Sequence, residues 1–279
     1  MFLKKEKNSS GNIFLVMADK IKKKTLGMLT TLFEIFLPFL KKNVKKIEQY
    51  LDKNIEFKKR ALYGVIFSLT ILLMLIFGGI AYMSLVFLIL CVMIYELLKI
   101  VANIEQSNNQ MFVLLRRYGI IYIATSCISL ILIRESVQGL KISIWMFLVV
   151  WTTDSFAYIL GKKFGKLKLA PEISPNKTYE GAIFGAICGL FVSIFIYKMF
   201  LTKTEHSFSF ISFVIFSIIT IILAQLGDLS ESYIKRQCNV KDSGDIMPGH
   251  GGLLDRFDSL LIVAPFIFIS IWLNGWRLF

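Results

Sequence analysis

The run from Ser232 to Asp258, SYIKRQCNVKDSGDIMPGHGGLLDRFD, holds the residue types in this chain most able to do chemistry. Lys235, Arg236, Lys241, Asp242, Asp245, His250, Asp255, Arg256 and Asp258 stand there among four glycines and a proline. Apolar stretches flank the run, roughly Phe208–Leu226 and Ser259–Leu273. Charge beside a bilayer costs solvation energy, so its concentration here marks a polar function at the membrane face. Cations and carboxylates interleaved with flexible backbone suit a phosphorylated, metal-bound substrate.

The spacing divides the work. Asp228 lies four residues before Ser232, so the two share one face if the preceding helix continues. Asp255 and Asp258 are three apart at the head of the next apolar stretch. Carboxylates converging from two helix ends, Asp228, Asp255 and Asp258, suit Mg²⁺, which takes oxygen ligands and keeps waters and substrate phosphates. Lys235, Arg236, Lys241 and Arg256 would meet the remaining phosphate charge, arginine by bidentate contact and lysine as a point charge. Gly244, Gly249, Gly251 and Gly252 let backbone N–H groups approach an anion. Any one lysine reads as an ordinary surface charge; the argument rests on the whole set.

The elements that must position these residues are membrane helices. Hydrophobic residues make up 56% of the 279. They come in blocks that match the ~20 helical residues needed to cross a bilayer. The expected fold class is therefore all-α, a polytopic integral membrane protein; the short alternating segments of a β-barrel are missing from the sequence. Spans are expected at about Ala61–Phe77, Ile80–Leu98, Arg117–Ile133, Ile142–Leu160, Tyr179–Leu201, Phe208–Leu226 and Ser259–Leu273. Gly78-Gly79 marks the first turn. The stretch Met28–Leu40, interrupted by Glu34 and Pro38, reads as an interfacial amphipathic helix, with an eighth span as the alternative.

Charge sets domains and orientation. Residues 1–60 carry 15 Lys/Arg against 6 Asp/Glu, a net of +9 out of +13 for the chain. They read as a cytoplasmic or interfacial extension held against anionic lipid, with residues 61–279 as the transmembrane domain. No nucleic-acid motif accompanies the charge, so no nucleic-acid partner is expected. The apolar run Ile13–Ala18 is too short for a signal peptide. With the basic end inside, the inner loops are 99–117, 161–178 and 227–258, which hold most of the loop cations; the outer loops hold Arg134, Lys141 and Lys203. Both chemically rich loops then face the cytosol.

Other residues carry less. Cys91, Cys127, Cys188 and Cys238 have no paired spacing, and with only His206 and His250 a zinc site is close to excluded. Glu96 is expected to snorkel toward the inner surface or pair with Lys99, with a place in a lipid-head cavity as the alternative. Trp145, Trp151, Trp272 and Trp276 fall partly at span ends, as interface anchors do.

The ordered residues of the run resemble the signature of the phosphatidate cytidylyltransferases (CDP-diacylglycerol synthases). That pattern reads S-x-apolar-K-R, four residues, K-D-x-small, then P-x-H-G-G and D-R-x-D. It is met at Ser232, Lys235, Arg236, Lys241, Asp242, Gly244, Pro248, His250, Gly251, Gly252, Asp255, Arg256 and Asp258, with Met247 where Ile or Leu is commoner. The stretch Trp151–Gly181 is similar to the family's earlier segment at Asp154, Ala157, Tyr158, Gly161, Gly165, Lys166, Ser174, Pro175, Lys177, Thr178, Glu180 and Gly181. Phe156 departs from the glycine commoner there, at a point of close helix approach. SPNKT reads as a helix start, capped by Ser174 or Asn176, from which Lys177 and Thr178 reach a phosphate. The resemblance covers about Ala61 to the C-terminus.

The resemblance implies the reaction CTP + phosphatidate → CDP-diacylglycerol + pyrophosphate at the cytosolic face of the cell membrane. The lipid phosphate attacks the α-phosphorus of CTP in line and pyrophosphate leaves. One or two Mg²⁺ ions would sit on Asp228, Asp255 and Asp258. Lys235, Arg236, Lys241 and Arg256 would neutralise charge, with Asp242 carried in the catalytic group without an assigned step. Ser232, Lys166, Ser174, Lys177, Thr178, Gly249, His250, Gly251 and Gly252 would bind substrate. His250 stays open between carrying a proton and hydrogen-bonding the loop or nucleotide. A lateral opening between spans is expected to admit the lipid. The oligomeric state is open between monomer and homodimer. Alternatives are a cytidylyltransferase for another lipid phosphate (isoprenoid or ether lipid) and, from a different class, an organic-anion or metal transporter.

Overall fold

A computed structural model describes residues 55–102, 110–201, 209–244 and 251–274. The expectations for the basic extension up to residue 54, Asp245, Gly249, His250 and Trp276 fall outside the described residues. Those from Arg60 onward form one compact helical unit. Its helices are α1 Ile55–Phe77, α2 Gly79–Ala102, α3 Gln110–Glu135, α4 Gly139–Phe164, α5 Tyr179–Ile196, α6 Phe210–Gln237 and α7 Leu254–Leu273. The all-α polytopic reading holds. Six helices are long and apolar enough to cross a membrane, and the apolar part of α1 is the shorter Leu62–Phe77. Gly78 and Gly79 turn the chain between α1 and α2 with φ of 62° and 49°, a left-handed geometry suited to glycine. Arg134 closes that corner, its Nε donating to the Leu75 carbonyl at 2.7 Å, where the end of α1 leaves acceptors unpaired.

The closest helix pairing is α4 on α5. Gly181, Gly185, Gly189 and Ser193 recur every four residues along α5 and are all buried. A Cβ at Gly185 would lie 2.6 Å from the Thr153 carbonyl oxygen, and one at Gly181 2.7 Å from that of Ala157. Backbone cannot yield there, so small residues are what allow the approach. Phe156, the departure noted in the sequence, points outward and is exposed, which leaves the approach intact. Trp145 is a correction: instead of anchoring at a span end, it is fully buried within the bundle and donates from Nε1 to Ser193 Oγ at 2.8 Å. Ser193 in turn meets Ser217 Oγ at 2.7 Å, tying α4, α5 and α6.

Within α7, Pro265 has no N–H to give the carbonyl four residues back. Ser126 Oγ on α3 donates to that Leu261 carbonyl at 2.6 Å, a neighbouring helix supplying the lost bond. At about 1.5 Å per residue α6 is ~42 Å long, against ~30 Å of hydrocarbon. The charged run is thus helical for much of its length: α6 continues to Gln237 and α7 begins at Leu254, well inside the loop expected at 227–258.

The segment between α4 and α5 corrects another expectation. SPNKT is an extended strand, β2 (Ser174–Thr178), paired antiparallel with β1 (Lys168–Ala170). A residue before proline is biased to extended backbone, and proline is tolerated in an edge strand. Neither Ser174 nor Asn176 caps a helix. Thr178 does, its Oγ1 accepting from Gly181 N at 3.2 Å.

Candidate active site

The ends of α2, α4, α6 and α7 and the hairpin meet at one end of the bundle, where two charged clusters lie side by side. The first is centred on Lys235, on the last turns of α6. Its Nζ is 2.6 Å from Asp255 Oδ1 and also pairs with Glu231, one helical turn earlier on the same face. All three side chains are about nine-tenths buried, so the charges are held where their attraction is poorly screened. The other Asp255 oxygen, Oδ2, accepts from Ser243 N at 2.9 Å and Gly252 N at 2.8 Å. One carboxylate thereby fixes a lysine and both sides of the 243–252 loop.

The second cluster is Asp154 of α4, Asp228 of α6 and Asp258 of α7, near enough to repel one another. Lys177 of β2 reaches across the hairpin to Asp228 Oδ1 at 2.7 Å. Lys177 and Arg256 both attract Asp154, whose Oδ2 accepts from Ser259 Oγ at 3.2 Å. Asp258 Oδ1 accepts from Ser259 N at 2.6 Å. Arg236 pins the hairpin to α6, donating from Nε to the Ile173 carbonyl at 3.0 Å and from Nη1 to Val240 at 3.1 Å. The two chemically rich segments of the sequence therefore form one site.

A model of the cytidylyltransferase family matches residues 103–274, more than half of the chain. The chain belongs to this family. A phosphatidate cytidylyltransferase of Staphylococcus haemolyticus is 50% identical over 130 residues, 47% of this chain and 48% of the relative. That of Bacillus subtilis is 45% identical over 130 residues, 47% of each. That of Haemophilus influenzae is 46% identical over 134 residues, 48% of this chain and 46% of the relative. The aligned stretch thus spans about half the length of the curated relatives it matches.

For a cytidylyltransferase, the metal question turns on how the carboxylates divide. Asp228 and Asp258 stand together as expected, but Asp255 belongs to the Lys235 cluster and both its oxygens have partners. Asp154 takes the third place beside them. Among the described residues no group of three or more His, Cys, Asp or Glu is drawn together tightly enough to hold an ion. Mg²⁺ sites at phosphates commonly take only one or two protein carboxylates, with water and phosphate completing the shell. One or two of Asp154, Asp228 and Asp258 meet that donor set, and Lys177 pairs with Asp228 beside them.

The other expected site residues are placed as follows. Ser232 is buried on α6 between the clusters, whereas Lys241, Asp242 and Arg256 are exposed at the rim. Lys166 is exposed, and its backbone N–H, with that of Leu167, is held by the Glu180 carboxylate. Ser174 is half-buried at the start of β2. The Thr178 hydroxyl accepts in the α5 cap and lies among Gly161, Gly165 and Gly181. Gly251 has φ of 82°, and the Gly252 N–H that was expected to face substrate anion faces Asp255. Cys238, just past α6, is a packing residue; burial pushes its thiol up, away from nucleophile or ligand chemistry.

Two carboxylates had no assigned role. Glu231 was legible as the i−4 partner of Lys235, the favourable order for a helical pair. Glu96 was expected to snorkel or pair with Lys99; it is completely buried and meets the 243–254 loop. A cavity of about 290 Å³ opens beneath the first cluster. Leu97, Ile100, Tyr122, Ile123, Leu261 and Ile262 supply apolar wall, and Glu231, Lys235 and Asp258 also border it.

Proposed function

We propose that this protein transfers CMP from CTP to phosphatidate, giving CDP-diacylglycerol and pyrophosphate, at the cytoplasmic face of the cell membrane. The observation that carries this reading is the apolar cavity between α2, α3, α6 and α7 bordered by Glu231, Lys235 and Asp258. Its apolar wall suits the chains of a lipid, and the bordering Lys235 is the cation that a phosphate head there would meet, in exchange for one of its carboxylate partners. CTP would arrive from water at the exposed rim of Lys241, Arg256 and the hairpin. The excess of cations in the loops at this end favours a cytoplasmic orientation.

The chain's own residues act by position and charge. An oxygen of the lipid phosphate attacks the α-phosphorus of CTP, the bond from that phosphorus to the α,β-bridging oxygen breaks, and pyrophosphate leaves carrying the bridging oxygen. Lys235 would hold the attacking phosphate beside the cavity mouth; Lys177, Lys241 and Arg256 would neutralise the triphosphate. Asp154, Asp228 and Asp258 would hold Mg²⁺, which supplies further neutralisation of phosphate charge. No general base is required, because a phosphate monoester is already largely ionised near neutral pH.

The substrate class is tested by offering purified protein CTP, Mg²⁺ and a panel of lipid phosphates. Phosphatidate is expected to give the highest kcat/KM and a chelator to abolish product. An isoprenoid or ether-lipid phosphate preferred over phosphatidate would replace the substrate assignment, and full turnover in the chelator would remove the metal from it.

A further inference from the structure

Glu96 lies on α2, outside the segment that matches the family model, yet it holds the loop that leads into α7. The carboxylate is completely buried. Its Oε1 accepts from Leu253 N at 2.9 Å, and its Oε2 accepts from Leu254 N at 2.8 Å and from Ser243 Oγ at 3.2 Å. The N–H groups at 253 and 254 have no acceptor within α7, being at its start, and Glu96 supplies one where the helix dipole favours an anion. Side chains are excluded at Gly244 and Gly252 by the same carboxylate: a Cβ at Gly252 would lie 2.6 Å from Glu96 Oε2, and one at Gly244 2.8 Å from Oε1. Together with Asp255, Glu96 draws Ser243 and residues 252–254 onto two adjacent carboxylates.

We propose that Glu96 is a positioning residue for the transfer reaction: by tying Ser243, Leu253 and Leu254 to α2, it sets the register of Asp255 and Asp258 at the head of α7. The inference rests on the reaction proposed above. Glu96 touches neither cluster's charged groups directly, so it acts through backbone. Asp255 must meet Lys235 while Asp258 faces Asp228, and the first turn of α7 carries both. A carboxylate anchored on a separate helix fixes that turn against the rest of the bundle, where misplacement by ~1 Å is enough to cost about 10²-fold in rate.

The test compares full-length wild-type, Glu96→Gln and Ser243→Ala proteins in phosphatidate-containing liposomes. Glutamine keeps the reach but puts an NH₂ where an acceptor is needed. In Glu96→Gln, kcat is expected to fall by about tenfold or more, with a smaller change in KM for CTP. A cap that only stabilises would lower Tm without altering kcat of the folded enzyme. Folded Glu96→Gln with wild-type kcat overturns the proposal. If Glu96→Gln does not fold, Ser243→Ala decides: it removes one bond to Glu96 and keeps the 243 N–H on Asp255. A kcat reduced by about threefold supports the proposal, and an unchanged kcat overturns it. Amide exchange at Leu253 and Leu254 is a readout independent of activity, expected to quicken in Glu96→Gln. Unchanged exchange contradicts the anchor itself. Wild-type protein that forms no lipid product would instead contradict the reaction, and the two failures are separable.

Discussion

Asp255→Asn is expected to reduce CMP transfer by about 10²-fold or more while the protein still folds and inserts. Oδ1 pairs with Lys235 and Oδ2 accepts from Ser243 N and Gly252 N, so every lone-pair direction in use serves as an acceptor. The asparagine amide offers one acceptor oxygen and an NH₂ that faces either the ammonium or two backbone donors. In either orientation one side of the clamp is lost. Lys235 keeps Glu231 as a counter-charge, which is why the fold should survive the change. Initial rates normalised to folded protein, with Tm measured in parallel, check this. Asp255→Asn enzyme within tenfold of wild type would contradict the role assigned to the clamp.

Lys235→Met is expected to abolish activity and also to destabilise the protein. It removes the one cation between two carboxylates, each less than a tenth exposed. Removing one partner of a buried pair costs about 3–5 kcal/mol, because the remaining charge is left without compensation. Here two such charges remain and they repel. Adding Glu231→Gln to Lys235→Met should therefore recover a measurable part of Tm by removing one of them. Activity should not return, since no cation is left at the cavity mouth. Recovery of both in the double variant would show that Lys235 serves packing alone. Glu231→Gln by itself should be mild, because Lys235 keeps Asp255.

Much of this site was legible as ordered residue types, and less of it as geometry. The helical phase of Asp228, Glu231, Ser232 and Lys235 follows from spacing within one helix. The turn at Gly78-Gly79 was legible from its paired glycines, its left-handed geometry only from the structure. What spacing could not supply was partnership across the bundle. Asp255 and Asp258 are three apart and look interchangeable in sequence, yet α7 turns the first toward Lys235 and the second toward Asp154 and Asp228. Asp154 stood alone in an apolar span until the fold brought it to the head of α7, where Ser259 Oγ donates to it. Glu96 looked close enough to the surface to snorkel because the loop that buries it lies some 150 residues later. SPNKT was read as a helix start because Ser174 and Asn176 carry capping side chains; Pro175 and the pairing with β1 keep it extended, and the cap falls to Thr178.

The central claim is that CMP, and no other part of CTP, moves to a membrane lipid. It is tested most directly by incubating purified protein with phosphatidate, Mg²⁺ and CTP labelled at either the α- or the γ-phosphorus, then separating lipid from water. The α-label should enter the lipid phase as a cytidine-containing lipid, while the γ-label stays in water as pyrophosphate. Label from the γ-position in lipid, or no α-label in any lipid phosphate, would contradict the account.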